Sequence, residues 1–248
     1  MNDLPAADRL PRFYHDGPLS PGAQIELSER TARHVQALRL RVDERITLFN
    51  GDGTQWEATL SRLGKRGALA GVVRQHHVDR EAPLQVHLLQ GVCASDRMDL
   101  VLQKATELGV ASIQPVVTAR SVVRLSSERQ ERRHIHWQNV VIAACEQCGR
   151  NRIPTVAPSL PLADLLGALQ TGGERLLLAP EGDTHLRALP APDRVTLLIG
   201  PEGGLAPDER EMALNAGFTA VRFGPRILRT ETAPLAAIAA IQALWGDC

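Results

Sequence analysis

Aromatic residues make up only 3% of the 248 positions. A nucleic-acid surface built on base stacking therefore has few candidates. Cysteine is scarce as well: Cys93, Cys145, Cys148 and Cys248 form no evenly spaced framework, which argues against a disulfide-stapled secreted scaffold. No run of about 18 apolar residues is present to cross a membrane. The opening Met-Asn-Asp-Leu-Pro-Ala-Ala-Asp-Arg lacks the apolar stretch of a signal peptide. Gly-x-Gly-x-x-Gly and the Gly-Lys-Ser/Thr of a P-loop are both missing, so neither common phosphate-cradling fingerprint applies. Net charge is zero, and the bulk balance does not announce a polyanionic partner. A cytoplasmic protein with no membrane association is the expectation.

The neutral total hides an uneven distribution. Residues 1–80 hold 12 Lys/Arg against 10 Asp/Glu, and residues 120–152 hold 7 against 3. Residues 174–216 reverse the sign, with 4 against 8. A basic face and an acidic face can therefore coexist.

Two textures divide the chain. From Ile25 to Val73 the elements are short. Ser28 can cap a helix running to about Leu40. Strands follow at Ile46–Phe49, Trp56–Leu60 and Ala68–Val73, with the turn Asn50-Gly51-Asp52-Gly53 supplying the positive φ of a tight hairpin. Short strands joined by hairpins predict a small β-barrel over residues 1–76. From about Glu81, strands alternate with longer helices, which predicts a second, α/β domain over residues 83–248 with a parallel sheet covered on both faces. Strands are expected at Gln85–Val92, Ala111–Val117, Arg175–Ala179, Val195–Ile199 and Ala220–Phe223. Helices are expected at Asp96–Leu108, Ser127–Gly149, Ala163–Leu169, Pro207–Ala216 and Thr230–Leu244.

Two loops carry the chemistry. Gly200-Pro201-Glu202-Gly203-Gly204 follows an apolar strand and precedes a helix, the place where parallel sheets bind ligands. Gly224-Pro225-Arg226-Ile227-Leu228-Arg229-Thr230-Glu231-Thr232-Ala233 has the same context, with Thr230 a possible helix cap. Two glycine loops at neighbouring strand ends would make one floor for a flat ligand.

These loops resemble those of a known family, ribosomal RNA small subunit methyltransferase E of the SPOUT superfamily. The likeness extends along nearly the whole chain: Arg12-Phe13-Tyr14, His34 to Arg39, Lys104-Ala105-Thr106-Glu107-Leu108-Gly109-Val110, and Ala143-Ala144-Cys145-Glu146-Gln147-Cys148-Gly149-Arg150 through Ile153-Pro154. The resemblance implies a PUA-like β-barrel at the N-terminus and a C-terminal SPOUT α/β domain with a trefoil knot, an exception to the rule of unknotted chains. It further implies a homodimer and S-adenosylmethionine as cofactor. The implied reaction is methylation of N3 of a uridine in 16S rRNA, within the small ribosomal subunit.

The cofactor is then expected against Leu198, Ile199, Gly200, Gly203 and Gly204, against Ile227, Leu228, Thr230, Thr232 and Ala233, and against a third loop opening at Ala179. Uracil N3 carries a proton at neutral pH and must lose it to act as a nucleophile. Arg229 is the candidate to stabilise the resulting anion, and Glu202 the candidate proton acceptor. Glu231 reads as structural, at the start of the last helix. Arg12, Arg39, Arg41, Lys65, Arg66, Arg120 and Arg124 are the expected phosphate contacts. Cys145-x-x-Cys148 lacks the second pair a structural zinc needs, and no metal is expected. Two other readings fit the same residues: an assembly factor that has lost its cofactor, and a SPOUT methylase acting on tRNA.

Overall fold

A computed structural model describes residues 10–64, 67–121, 127–169 and 172–248. The chain divides into two compact units, Met1–Glu81 with Cys145–Ile153, and Ala82–Ala144 with Pro154–Cys248. Residues 145–153, which the sequence pattern assigned to the 83–248 domain, cluster with the first unit.

The first unit contains β1 (Arg12–Tyr14), β2 (Gln24–Leu27), α1 (Glu29–Ala37), β3 (Arg45–Phe49), β4 (Gln55–Leu63) and β5 (Ala68–His76). The sequence pattern did not mark β1 or β2, because three or four residues are too few to show a period. The strands order as β1-β3-β4-β5-β2 in one sheet. β1 runs parallel to β3 and the other pairs are antiparallel. Register shifts at Glu57/Ala58 and Leu60/Arg62 interrupt the β4–β5 ladder, and such irregularities bend a sheet and raise its twist. The sheet is accordingly curled, with β1 and β2 as its edges among the described residues. Ser28 caps α1 by accepting a hydrogen bond from the Thr31 amide at 3.2 Å. Phe13, Val35, Ile46, Leu48, Trp56, Leu60 and Val72 fill the core.

The other face of this sheet carries polar groups around the buried Phe49 ring, over which the Arg12 guanidinium lies at 4.8 Å. Arg12 donates to Gln55 Oε1 at 2.6 Å, to Asn151 Oδ1 at 2.8 Å and to the Arg150 carbonyl at 3.2 Å. The Tyr14 amide donates to Glu146 at 2.9 Å. These bonds fasten residues 145–153 to the sheet. They also give Arg12 a structural occupation where a phosphate contact was expected.

Beside that network, Glu57 lies 7% exposed and accepts from Arg45 and Arg74 at 3.1 and 3.0 Å. Burial pushes its carboxyl up, but the hydrogen bonds and charges of Arg74 and Arg45 outweigh it and hold the group below 4.5. A depressed folded value means that the stabilisation is present above the unfolded value and fades as pH falls through the folded one. Both guanidiniums are more than half exposed, so screening limits the effect. Glu57→Gln is expected to lose about 1–2 kcal/mol in urea unfolding at neutral pH. The gap should close on acidification as the wild-type carboxyl protonates. An equal loss at both pH extremes would mean that packing, not charge, is responsible.

The second unit runs β6 (Gln85–Gly91), α2 (Ser95–Glu107), β7 (Ser112–Val117), α3 (Ser127–Cys148), β8 (Thr155–Val156), β9 (Leu160–Pro161), α4 (Leu162–Ala168), β10 (Glu174–Leu178), β11 (Arg194–Ile199), α5 (Pro207–Asn215), β12 (Thr219–Val221) and α6 (Thr232–Trp245). The last turn of α3 belongs with the first unit. The strands order as β12-β10-β11-β6-β7-β8, with β9 beside β7, and every pair is parallel. α2 packs against α6. Between α4, α5 and the sheet lies a core that includes Leu89, Val116, Leu165, Leu177, Leu198 and Phe218. The chain builds outward from β6 to β8, then places β11 on the other flank of β6. That reversal is a switch point, beside which open parallel sheets form clefts at their C-terminal strand ends. Among the described residues no helix is long and apolar enough to cross a membrane.

Candidate cofactor cleft

Such a cleft, of about 620 Å³, opens at the ends of β10, β11 and β12. That volume lies within the range of small-molecule sites. Three segments wall it: Leu177–Glu181, Ile199–Leu205 and Phe223–Thr230 with Ala233. Of the residues expected at a cofactor, Ala179, Ile199, Gly200, Gly203, Gly204, Ile227, Leu228, Thr230 and Ala233 line it together. Leu198 and Thr232 do not. Leu198 is fully buried in the core, since alternate strand residues face opposite ways. The Thr232 amide is used in closing the first turn of α6, donating to the Arg229 carbonyl at 2.9 Å.

Close backbone approach holds the loops. Gly91 ends β6, and a Cβ there would lie 2.5 Å from Pro201 N. Thr230, expected as a helix cap, instead donates its hydroxyl to the Gly200 carbonyl at 2.8 Å and accepts from Gln90 at 3.3 Å. One hydroxyl thus fastens the third loop to the second, and the helix begins two residues later.

Glu202 lines the cleft, but its Oε1 is engaged. It accepts from the Ala94 amide at 2.9 Å and from Arg97 at 3.1 Å. Ala94 is the N-cap of α2 and has no side-chain acceptor, so the Glu202 carboxylate supplies the anion that a helix N-terminus favours. Arg229 also lines the cleft and is 79% exposed, with Nη1 3.9 Å from Glu231. Arg120 reaches the mouth, donating to the Gly203 carbonyl at 2.7 Å. Arg39 and Arg41 are exposed in the first unit, Arg39 with φ 57°. Lys65, Arg66 and Arg124 lie outside the described residues. The sequence reading missed Arg97 and Gly91. Arg97 stands on the first turn after the β6 end, and strand-end position was the available signal.

Cys93 is buried near the cleft, and burial together with Glu202 pushes its thiol up to about 12; burial does the same for Cys145, also to about 12. Among the described residues no group of three or more His, Cys, Asp or Glu is placed to hold a metal. Because thiolates, not thiols, react, iodoacetamide should label exposed Cys248 in the native protein and leave Cys93 and Cys145 unmodified. Native-state peptide mapping that finds Cys93 alkylated as fast as Cys248 would contradict the buried placement.

Three glycine- and proline-bearing loops on parallel strand ends define a ligand-binding α/β domain. The model of the RNA methyltransferase domain matches residues 80–242, and that of the RNA methyltransferase PUA domain matches residues 27–73. The ribosomal RNA small subunit methyltransferase E of Buchnera aphidicola from Schizaphis graminum is 30% identical over 96% of this chain and 98% of its own. A Neisseria gonorrhoeae enzyme of the same name, solved bound to S-adenosyl methionine, is 42% identical over 96% of this chain and 99% of its own, with a TM-score of 0.90. A Legionella pneumophila protein, solved in complex with bound cofactor SAM, is 38% identical over 97% and 100%, with a TM-score of 0.93. The chain belongs to the ribosomal RNA small subunit methyltransferase E family.

Proposed function

We propose that this chain methylates N3 of a uridine in 16S rRNA with S-adenosylmethionine, acting in the bacterial cytoplasm on the small ribosomal subunit. The three-loop cleft carries this reading. Its volume suits the cofactor, and the close packing of Gly200 on Gly204, where a Cβ would stand 3.0 Å from the neighbouring Cα, leaves backbone on its wall. Bound there, the cofactor supplies an electrophilic methyl group. Arg229 is our candidate to stabilise the uracil anion, because it lines the cleft, is always charged and cannot serve as an ordinary base. The N3 proton leaves to water or to the Glu202 oxygen not engaged by Ala94 and Arg97. We take the chain from Phe223 to Thr230, latched to Gly200 and Gln90, as the closing pass of a trefoil knot. Residues 1–76, joined by 145–153, serve as the RNA-holding domain, and the remainder of 83–248 as the catalytic one.

The apolar helix α6 buries Ala233, Ala237, Ile238 and Ile241. Its other side leaves Leu235, Ala236, Ala239, Ala240, Ala243 and Leu244 partly or fully exposed. A helix apolar on most sides calls for a second covering surface. We assign that surface to a second copy of the chain.

Arg39, Arg41 and Arg120 are the proposed phosphate contacts. Their triple alanine variant should bind small subunits more weakly at low salt and with a flatter salt dependence. Mass spectrometry of 16S rRNA from a strain lacking the protein tests the function itself. One methylated uridine should disappear, and return on complementation. A complete modification set in that strain would remove the reading.

A further inference from the structure

Arg97 reaches two carboxylates at once. Its Nη1 donates to Glu202 Oε1 at 3.1 Å, and its Nε stands 3.8 Å from Glu231 Oε2. The other oxygen of Glu231 faces Arg229 Nη1 at 3.9 Å. One carboxylate therefore sits between two guanidiniums, one on each of its oxygens. Glu231 is mostly buried, with 15% of its side chain exposed. Its Oε2 is buried and accepts no hydrogen bond among the described residues. Arg97 and Arg229 both line the cleft, and Glu231 does not. Five arginines and two glutamates line it in all, an excess suited to an anion.

Deprotonated uracil has a matching shape. When the N3–H bond breaks and the proton passes to solvent, the charge spreads from N3 onto the two carbonyl oxygens that flank it. A single arginine can attend one of those oxygens. We propose that Arg97 is a second catalytic cation, paired with Arg229 so that each guanidinium serves one carbonyl oxygen of the uracil anion, and that Glu231 is the positioning residue that holds both. This rests on the uridine-N3 reading above. Fixed donors aimed at developing charge are effective because they need no reorganisation when the charge appears. At 3.8 and 3.9 Å, without a hydrogen bond to either, Glu231 draws Arg97 and Arg229 toward one another by charge and biases both toward the same part of the cleft.

Single-turnover methyl transfer to small subunits from a strain lacking the protein, at saturating S-adenosylmethionine, tests the pair across a pH series. Arg97→Met should lose roughly 10²-fold at neutral pH. The deficit should shrink as the pH rises, because alkali ionises the base without help from the cation. Arg97→Lys keeps the charge without the planar fork and should show an intermediate profile. Glu231→Gln should slow transfer with cofactor affinity within about twofold of wild type, since the change leaves the cleft wall intact. A deficit constant across the pH series in Arg97→Met or Arg97→Lys would overturn the proposal, as would a loss that calorimetry traces to weaker cofactor binding. If Arg97→Met fails to fold, the Lys profile decides alone. Nucleoside mass spectrometry of the wild-type product separates the two levels. A methyl on ribose oxygen would remove the uridine-N3 reading, and the proposal with it. A methyl on N3 leaves the pH profiles to judge Arg97.

Discussion

Gly91→Ala should sharply weaken cofactor binding, although it adds a single methyl group and removes no polar contact. Gly91 is buried at the end of β6. A Cβ there would meet Pro201 N at 2.5 Å, Pro201 Cδ at 2.7 Å and the Gly200 carbonyl carbon at 2.8 Å. These are backbone and ring atoms, which cannot swing aside as a long side chain would. Either β6 or the Gly200–Gly204 loop must move, and β6 is paired on both flanks with β11 and β7. The loop is the weaker party, and it walls the cleft. We expect S-adenosylmethionine affinity to fall at least about 10²-fold, with about 1–3 kcal/mol of lost stability from overpacking. Gly203→Ala provides the contrast. Its Cβ would come no nearer than 3.2 Å, to Arg120 Cβ, a tight contact that a shift of a few tenths of an ångström relieves, against the 2.5 Å overlap at Gly91. Calorimetric titration of both variants decides the matter, and near-wild-type affinity in Gly91→Ala would show that the loop tolerates displacement.

The second large effect should come from the uncovered side of α6. Ala236→Glu with Ala240→Glu places two carboxylates on one face, a turn apart. If a second copy covers that face, each charge would have to be buried without a partner, which costs several kcal/mol. The variant should sediment as a 27.0 kDa monomer at micromolar concentration, and the wild type should sediment as a dimer. Methyl transfer should fall with it. Ile227, at the lip of the cleft, is 83% exposed, and α6 begins just beyond it. If the second copy also covers that loop, its loss would leave Ile227 in water. A wild-type monomer, or a doubly charged variant that still dimerises, would move the interface elsewhere.

The parallel-sheet unit was largely legible in the sequence. Its strands are apolar runs ended by glycine or proline, and its helices α2 and α5 show clear ends. The loops after β10, β11 and β12 could be named because glycines follow apolar strands there. Other features left no local trace. β1 and β2 pair with residues more than thirty positions away, so nothing in their own few residues marks them. Arg12 looked like a surface cation, yet Gln55 and Asn151 claim it, and only the fold brings those two residues together. Glu202 looked like an unengaged carboxylate because the amide it caps lies 108 residues earlier in the chain. Thr230 showed a cap's residue type, and a distant carbonyl recruited its hydroxyl instead.

The return of residues 145–153 to the N-terminal sheet bears on how the chain is made. A ribosome that has released only the first 81 residues has released a unit still lacking Glu146, Arg150 and Asn151. Arg12 then keeps Gln55 but lacks Asn151 and the Arg150 carbonyl, the Tyr14 amide lacks Glu146, and β1, which carries both, lacks the cover of that segment. Completion waits until about seventy further residues have emerged, the span that carries β6, α2, β7 and most of α3. Folding of the early domain is thereby tied to synthesis of the later one. A fragment ending at Glu81 should expose that face to proteases, while in one extended through Ile153 the peptide bonds of β1 to β5 should be cut more slowly, whatever happens to residues 82–144.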